Sequence, residues 1–308
     1  MILSITPNPS VDISYRLASF RLNTVNRCSH VHKLAGGKGL NVARVIHLAG
    51  RKVCATGFIG GANGQFIKEE LDRLQIRHQF VEVDGTTRNC IAILHDEGMQ
   101  TEILEEGPRL TKRDEENFLS QYCKLLDSAS VVTASGSLPK GLDATFYTKL
   151  ITIAKEKGKI FILDTSGNPL KEGIKASPFL IKPNLQELSG LAGKKLQTMD
   201  EVKKAVLSLA RWNIPCIVVS LGKDGALGYF GGKFYQIIPP KIQAVNPVGS
   251  GDSMVAGMAI ALSEGLPDQL VLVYGCAFGT LNAIEEKTGF IRRELLNEFI
   301  GKTEVIPI

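Results

Sequence analysis

Little in this chain marks a secreted, membrane-spanning or nucleic-acid-binding protein. Its 308 residues include six cysteines, none in a C-x-x-C pair and most inside apolar stretches, so neither a disulfide framework nor a thiolate metal site is expected. Histidine is sparse too: of five, only His30 and His32 are near neighbours, with no Cys or further His to complete a metal site. The longest weakly polar run, Val271 to Ile284, is about 14 residues, short of the roughly 20 that a membrane helix needs. No five like charges occur in a row, and 36 Lys plus Arg against 31 Asp plus Glu leave a net charge of only +5. That is mildly basic and falls short of a nucleic-acid footprint. The first residues carry no basic n-region and break at Pro7, so a signal peptide is not read there and a cytoplasmic location is the expectation. The 44% hydrophobic and 22% charged content is ordinary globular usage, enough for a large core.

Apolar β-type runs alternate with helical patterns, which predicts a mainly parallel sheet covered by helices on both faces. Strands are expected at 2–6, 53–59, 130–134, 160–164, 179–182 and 216–221, and helices at 39–48, 65–74, 143–157, 185–191 and 202–212. A hairpin (226–230 and 234–238) and two long helical segments follow. Two stretches break the rhythm: Val11 to Arg16 with Ser29 to Leu34, and Asn89 to His95 with Thr101 to Leu104 across Asp96-Glu97-Gly98-Met99. They predict a small antiparallel sheet, discontinuous in sequence (about 10–35 and 87–106), inserted in a single 1–308 α/β domain. Such a sheet could close over a ligand or simply extend an edge.

The most informative segment is Asn246-Pro247-Val248-Gly249-Ser250-Gly251-Asp252, a glycine turn running into an apolar helix. Unpaired N–H groups at a helix start converge on negative charge, and glycines let phosphate oxygens approach the main chain. Asp252 falls in the first turn. A carboxylate beside an anion hole suits proton abstraction from a hydroxyl during phosphoryl transfer, where orientation and electrostatics do most of the work; a plain N-terminal helix charge is the alternative. A dinucleotide fingerprint is excluded because Met254 stands where the third glycine belongs, and a Walker loop because His32 and Gly39 flank Gly37-Lys38.

A second glycine turn, Gly36-Gly37-Lys38-Gly39-Leu40-Asn41, carries a lysine that could hold a phosphate and an amide that could read a sugar hydroxyl, or a merely solvated lysine. Asp12 could accept from vicinal hydroxyls or cap its own turn. Arg88 could clamp a phosphate or lie solvated. In Lys182-Pro183-Asn184-Leu185-Gln186-Glu187, Asn184 and Glu187 sit one turn apart, a spacing that serves hydrated Mg²⁺ on a polyphosphate and an ordinary capping box equally. Ser220-Leu221-Gly222-Lys223-Asp224-Gly225 offers backbone groups to a nucleotide.

Taken together and in this order, these segments resemble the PfkB family of sugar kinases, with the ribokinase-like three-layer α/β/α fold, over essentially the whole chain. The resemblance implies Asp252 as catalytic base and the Gly249, Ser250 and Gly251 amides as the anion hole. It implies Asp12, Gly36, Gly37, Asn41 and Ser137 at the sugar, with Lys38, Arg88 and Arg27 as a phosphate clamp. Lys182, Ser220, Gly222, Gly225 and Asn282 would lie along ATP, and Asn184 and Glu187 would meet Mg²⁺, Glu187 through water. Asn246-Pro247 stands where most of the family has Asp-Thr, a departure matching its phosphosugar branch. The implied reaction is ATP- and Mg²⁺-dependent phosphorylation of a ketohexose phosphate, D-tagatose 6-phosphate first and fructose 1-phosphate as the alternative. A non-catalytic phosphosugar or nucleotide sensor is the reading from another class. The resemblance also implies a homodimer paired through the small sheet; the charge balance and the lack of a long apolar run lead to no nucleic-acid or membrane partner being expected.

Overall fold

The computed structural model describes residues 1–96 and 99–308; Glu97 and Gly98 of the expected 96–99 turn lie outside the described residues. The main sheet runs, in spatial order, 304–307, 233–238, 226–230, 216–220, 180–181, 160–164, 131–135, 2–6, 53–59 and 77–78, with 81–82 also pairing on 53–59. From 216–220 to 77–78 all pairings are parallel, and the last three strands at the other edge add antiparallel.

Alternation along each strand divides the core between the two faces of the sheet. Ile2, Val53, Ala55, Val131, Ile162 and Val218 pack on one side with the helices Lys38–Leu48, Ser250–Ser263 and Asp268–Ala283. Leu3, Ile5, Cys54, Val132, Leu163 and Val219 pack on the other with Lys112–Leu126, Phe146–Glu156, Gly167–Lys175, Leu185–Ala192 and Met199–Ala210. This is a three-layer α/β/α sandwich. The helices Ser250–Ser263 and Asp268–Ala283 are buried nearly all round, which is why they read as apolar without a polar stripe. No helix among the described residues is long and apolar enough to cross a membrane.

Strand Ile2–Thr6 lies between 53–59, which follows it, and 131–135, which comes much later, so the strand order reverses there. Ligands of open α/β sheets bind beyond the carboxyl ends of the strands at such a point. From that end the chain departs into the separate four-stranded sheet, ordered 30–36, 10–16, 88–95, 99–104. The expectation of an antiparallel sheet needs correcting: 10–16 pairs with 88–95 in parallel, Ser10 opposite Arg88, so the small sheet is mixed. The two central strands are joined by a long crossover through the α/β layers, and both leave the main sheet in the same direction. Helices at Lys112–Leu126 and Gly167–Lys175 and the edge strand Glu304–Pro307 were not expected from the sequence pattern. The first carries a full capping box, Thr111 with Asp114, that could have announced it.

Candidate active site

The expected residues come from widely separated segments and meet at the carboxyl ends of the parallel strands. Gly249 initiates the Ser250–Ser263 helix with φ +83°, and a Cβ there would stand 2.6 Å from Thr288 Cγ2. The position therefore requires glycine on both conformational and steric grounds. The Ser250 amide donates to the Pro247 carbonyl (3.2 Å), so it is not free for a ligand as expected. The amides of Gly249, Gly251 and Asp252 meet no backbone acceptor among the described residues. Ser250 thus leaves the expected set of donors and Asp252 takes its place, because Pro247 closes a turn onto Ser250.

Asp252 is 6% exposed, and its Oδ2 accepts from Asn41 Nδ2 at 2.8 Å. Burial, reinforced by the charge of Asp164, pushes its carboxyl up to about 6 against the pull of Lys38, Asn41 and Lys182. Asp164, at the end of strand Ile160–Asp164, did not enter the sequence reading. It is 2% exposed, and neither carboxylate oxygen has a hydrogen-bond partner among the described residues. Two lysines answer it: Lys182 Nζ lies 3.4 Å from Oδ1 and Lys38 Nζ 3.9 Å from Oδ2. Lys38 is held protonated above its ordinary range, first by Asp164 and also by Asp252 and Glu187, against burial. An Asp closing a buried β-run was the only signal that could have found this residue.

At the Gly36–Asn41 turn, Gly37 has φ +103°, and its carbonyl accepts from the Leu40 and Asn41 amides (2.9 and 3.1 Å). A side chain at Gly36 would overlap the Asp12 carboxylate, so these two segments touch directly. Asp12 accepts from Ser10 Oγ (2.6 Å), and burial raises its carboxyl above the usual range despite Ser10, Arg44, Arg88 and the Gly37 amide. Arg88 is half-buried, not solvated: Nη2 donates to the Asn8 carbonyl and Nη1 to the Glu105 carbonyl, both at 3.1 Å, and Nε has no partner among the described residues. Asn8 in turn donates to the Glu106 carbonyl (3.1 Å) and to Ser137 Oγ (3.4 Å), which brings exposed Ser137 to the same mouth. Arg27 is not brought in: it lies exposed on the loop between the strands 10–16 and 30–36, without an ion pair among the described residues.

On the other flank, Asn184 and Glu187 form the reciprocal capping box, Glu187 N to Asn184 Oδ1 at 2.8 Å and Asn184 N to Glu187 Oε2 at 2.9 Å. The box engages Glu187 Oε2 and leaves Oε1 without a hydrogen bond among the described residues, in electrostatic reach of Lys38. Oxygen donors of this kind suit Mg²⁺. Ser220 bridges Asn184, and Gly222 presents its backbone to open space with φ +64°. Gly225 is buried, and its carbonyl closes the turn onto the Leu221 amide (2.9 Å). Asn282, expected along the nucleotide, is 0% exposed and fully engaged: Nδ2 donates to the Val248 carbonyl (2.8 Å), and Oδ1 accepts from the Gly289 amide (2.8 Å) and Ser253 Oγ (3.2 Å). It stands behind the glycine turn and staples it in place.

A three-layer α/β/α sandwich with a small sheet rooted at its strand ends, and a buried carboxylate beside open helix-start amides, define a kinase of the ribokinase-like fold. The chain belongs to the pfkB family of carbohydrate kinases, whose family model matches residues 6–293. It is 48% identical over 311 residues, covering 100% of both chains, to a tagatose-6-phosphate kinase of Staphylococcus epidermidis. Among solved structures it is similar to phosphofructokinase-2 from Escherichia coli in complex with substrates and products (TM-score 0.91, 29% identity, 97% of this chain and 98% of that one). Ribokinase of Arabidopsis thaliana, complexed with ribose and ATP, shares the fold (TM-score 0.81, 20% identity, 97% and 98% covered).

Proposed function

We propose that this pfkB-family kinase transfers the γ-phosphoryl of ATP to the primary hydroxyl of a ketohexose phosphate, D-tagatose 6-phosphate, giving the 1,6-bisphosphate. The observation that carries the substrate is the full-length 48% identity to the tagatose-6-phosphate kinase. The chemistry is supported by Asp252 lying next to three amides with no backbone acceptor. Asp252 accepts the hydroxyl proton, the sugar oxygen bonds to the γ-phosphorus, and the bond from that phosphorus to the ADP oxygen breaks. The Gly249, Gly251 and Asp252 N–H groups receive the charge on the migrating phosphoryl oxygens. A base near 6 is ionised at neutral pH and still returns its proton to water afterwards.

Asp12, Gly37 and Asn41 face the sugar in this reading, and Lys38 with Arg88 meets its phosphate. Asn184 and Glu187 would hold Mg²⁺, Glu187 through water, and the metal would supply charge neutralisation on the polyphosphate. Ser220 and Gly222 line the nucleotide. The small sheet is a lid inserted in one 1–308 domain, and its exposed Val31, Met99, Ile103 and Leu104 support pairing with a second copy, testable by light scattering. Six free cysteines accord with a cytoplasmic location.

The test is a coupled ADP-release assay across tagatose 6-phosphate, fructose 1-phosphate, fructose 6-phosphate and ribose. The first is expected to give the highest kcat/KM. A preference for fructose 1-phosphate makes the chain a 1-phosphofructokinase, and absence of phosphate transfer even in a single turnover makes it a sensor.

A further inference from the structure

Arg44 is the largest fully buried side chain, 1% exposed, and nothing in the phosphoryl-transfer scheme uses it. It lies one helical turn after Asn41. Its Nη1 donates to Asn41 Oδ1 (2.9 Å) and to the Thr288 carbonyl (3.3 Å), Nη2 donates to the Ala35 carbonyl, and the guanidinium covers the Phe290 ring at 5.3 Å. Burial lowers its pKa to about 10, with Asp12, Glu70 and Asp252 opposing that shift, so it stays charged at neutral pH.

An asparagine amide can present either end to a neighbour. A carbonyl oxygen turned toward Asp252 would repel its carboxylate, whereas the nitrogen donates to it. A guanidinium has donors only, so it can hold Asn41 by the oxygen alone, and that hold turns Nδ2 toward Asp252 Oδ2. The other two contacts of Arg44 tie the same group to Ala35, at the root of the small sheet, and to the turn around Thr288 and Gly289. The Gly289 amide in turn grips Asn282, the staple of the Gly249 turn.

We propose that Arg44 is a positioning residue that locks the Asn41 amide with its nitrogen toward Asp252 and joins that lock to the root of the small sheet and to the turn that holds the anion site. The proposal rests on Asp252 being the base. The groups acting on Asp252 are Asn41 and Lys38 from one helix, Asp164 and Lys182 from two strand ends, and the charge of Arg44 itself, which Arg44→Lys retains.

The experiment measures kcat against pH at saturating substrates for wild type, Arg44→Met, Arg44→Lys, Asn41→Ala and the double variant Arg44→Met/Asn41→Ala. With the lock gone, the ionised carboxylate loses its oriented donor, and the acidic limb moves up by about one pH unit. Turnover of Arg44→Met then falls about threefold near pH 6.5 and little near pH 8.5. Asn41→Ala shows the same displaced limb, and the double variant moves it no further. Arg44→Lys keeps the charge but lacks the planar fork, so it serves if Met prevents folding, with a displacement in the same direction. A limb at the wild-type position in a folded Arg44 variant, or displacements that add in the double variant, overturns the proposal. Asp252→Asn separates the two readings: if it retains turnover, the base assignment falls first, and if it abolishes turnover while the Arg44 limb stays put, only the lock is wrong.

Discussion

Keeping Asp252 ionised inside the protein works against the folded state, and the size of that effect is measurable. The carboxyl moves from 3.8 to about 6 on folding, chiefly through burial. A raised acid pKa means that between those values the folded chain holds a proton the unfolded chain has lost, so stability falls as pH rises through that window. Below about 4 the contribution vanishes; above about 7 it reaches its limit, about 3 kcal/mol for a shift of this size. Asp252→Asn removes the charge, nearly preserves the shape and keeps an oxygen to accept from Asn41. The variant is expected to lose turnover by about 10² to 10⁴-fold while melting about 5 °C above wild type near pH 8. The gain should shrink toward zero as the pH is lowered to about 4. Differential scanning calorimetry of both proteins across that range, beside the ADP-release assay, measures both effects. A melting difference that does not change with pH, or a variant less stable than wild type near pH 8, refutes the picture of a carboxylate strained by its own burial.

Lys38→Ala and Arg88→Ala are each expected to raise KM for the phosphosugar about tenfold while moving KM for ATP little; steady-state kinetics with equal effects on both substrates would place these cations elsewhere. Gly249→Ala forces a side chain into φ +83° and against Thr288, so it should destabilise by about 1–3 kcal/mol and lower kcat. Urea melts and turnover at the wild-type level would count against the turn as described. Glu187→Gln should raise the Mg²⁺ concentration for half-maximal rate with kcat at saturating metal less affected, read from a metal titration; an unchanged titration removes Glu187 from the metal.

Short apolar runs were enough to find the parallel core strands, buried on both faces, and the 3.6-residue period most helices, because both are local properties of the chain. The glycine turns at 36–39 and 249–251 were legible for the same reason: a bend entering a helix is written in adjacent residues. Legibility ended where partners are distant in sequence. The parallel pairing of 10–16 with 88–95 depends on how two crossovers leave the main sheet, which no pattern inside either strand records.

The candidate site divides along the same line. Asp252, Lys38, Asn41 and the Asn184–Glu187 pair stood out as residue types at recognisable spacings. Which amides stay open, that Asn282 serves the turn from behind, that Arg27 remains outside, and that Asp164 and Arg44 act on Asp252 emerged only in three dimensions. Chemical capability resides in the side chain and its immediate neighbours along the chain. Protonation state, orientation and access arise from burial and from charges tens to hundreds of residues away, and folding alone sets those distances.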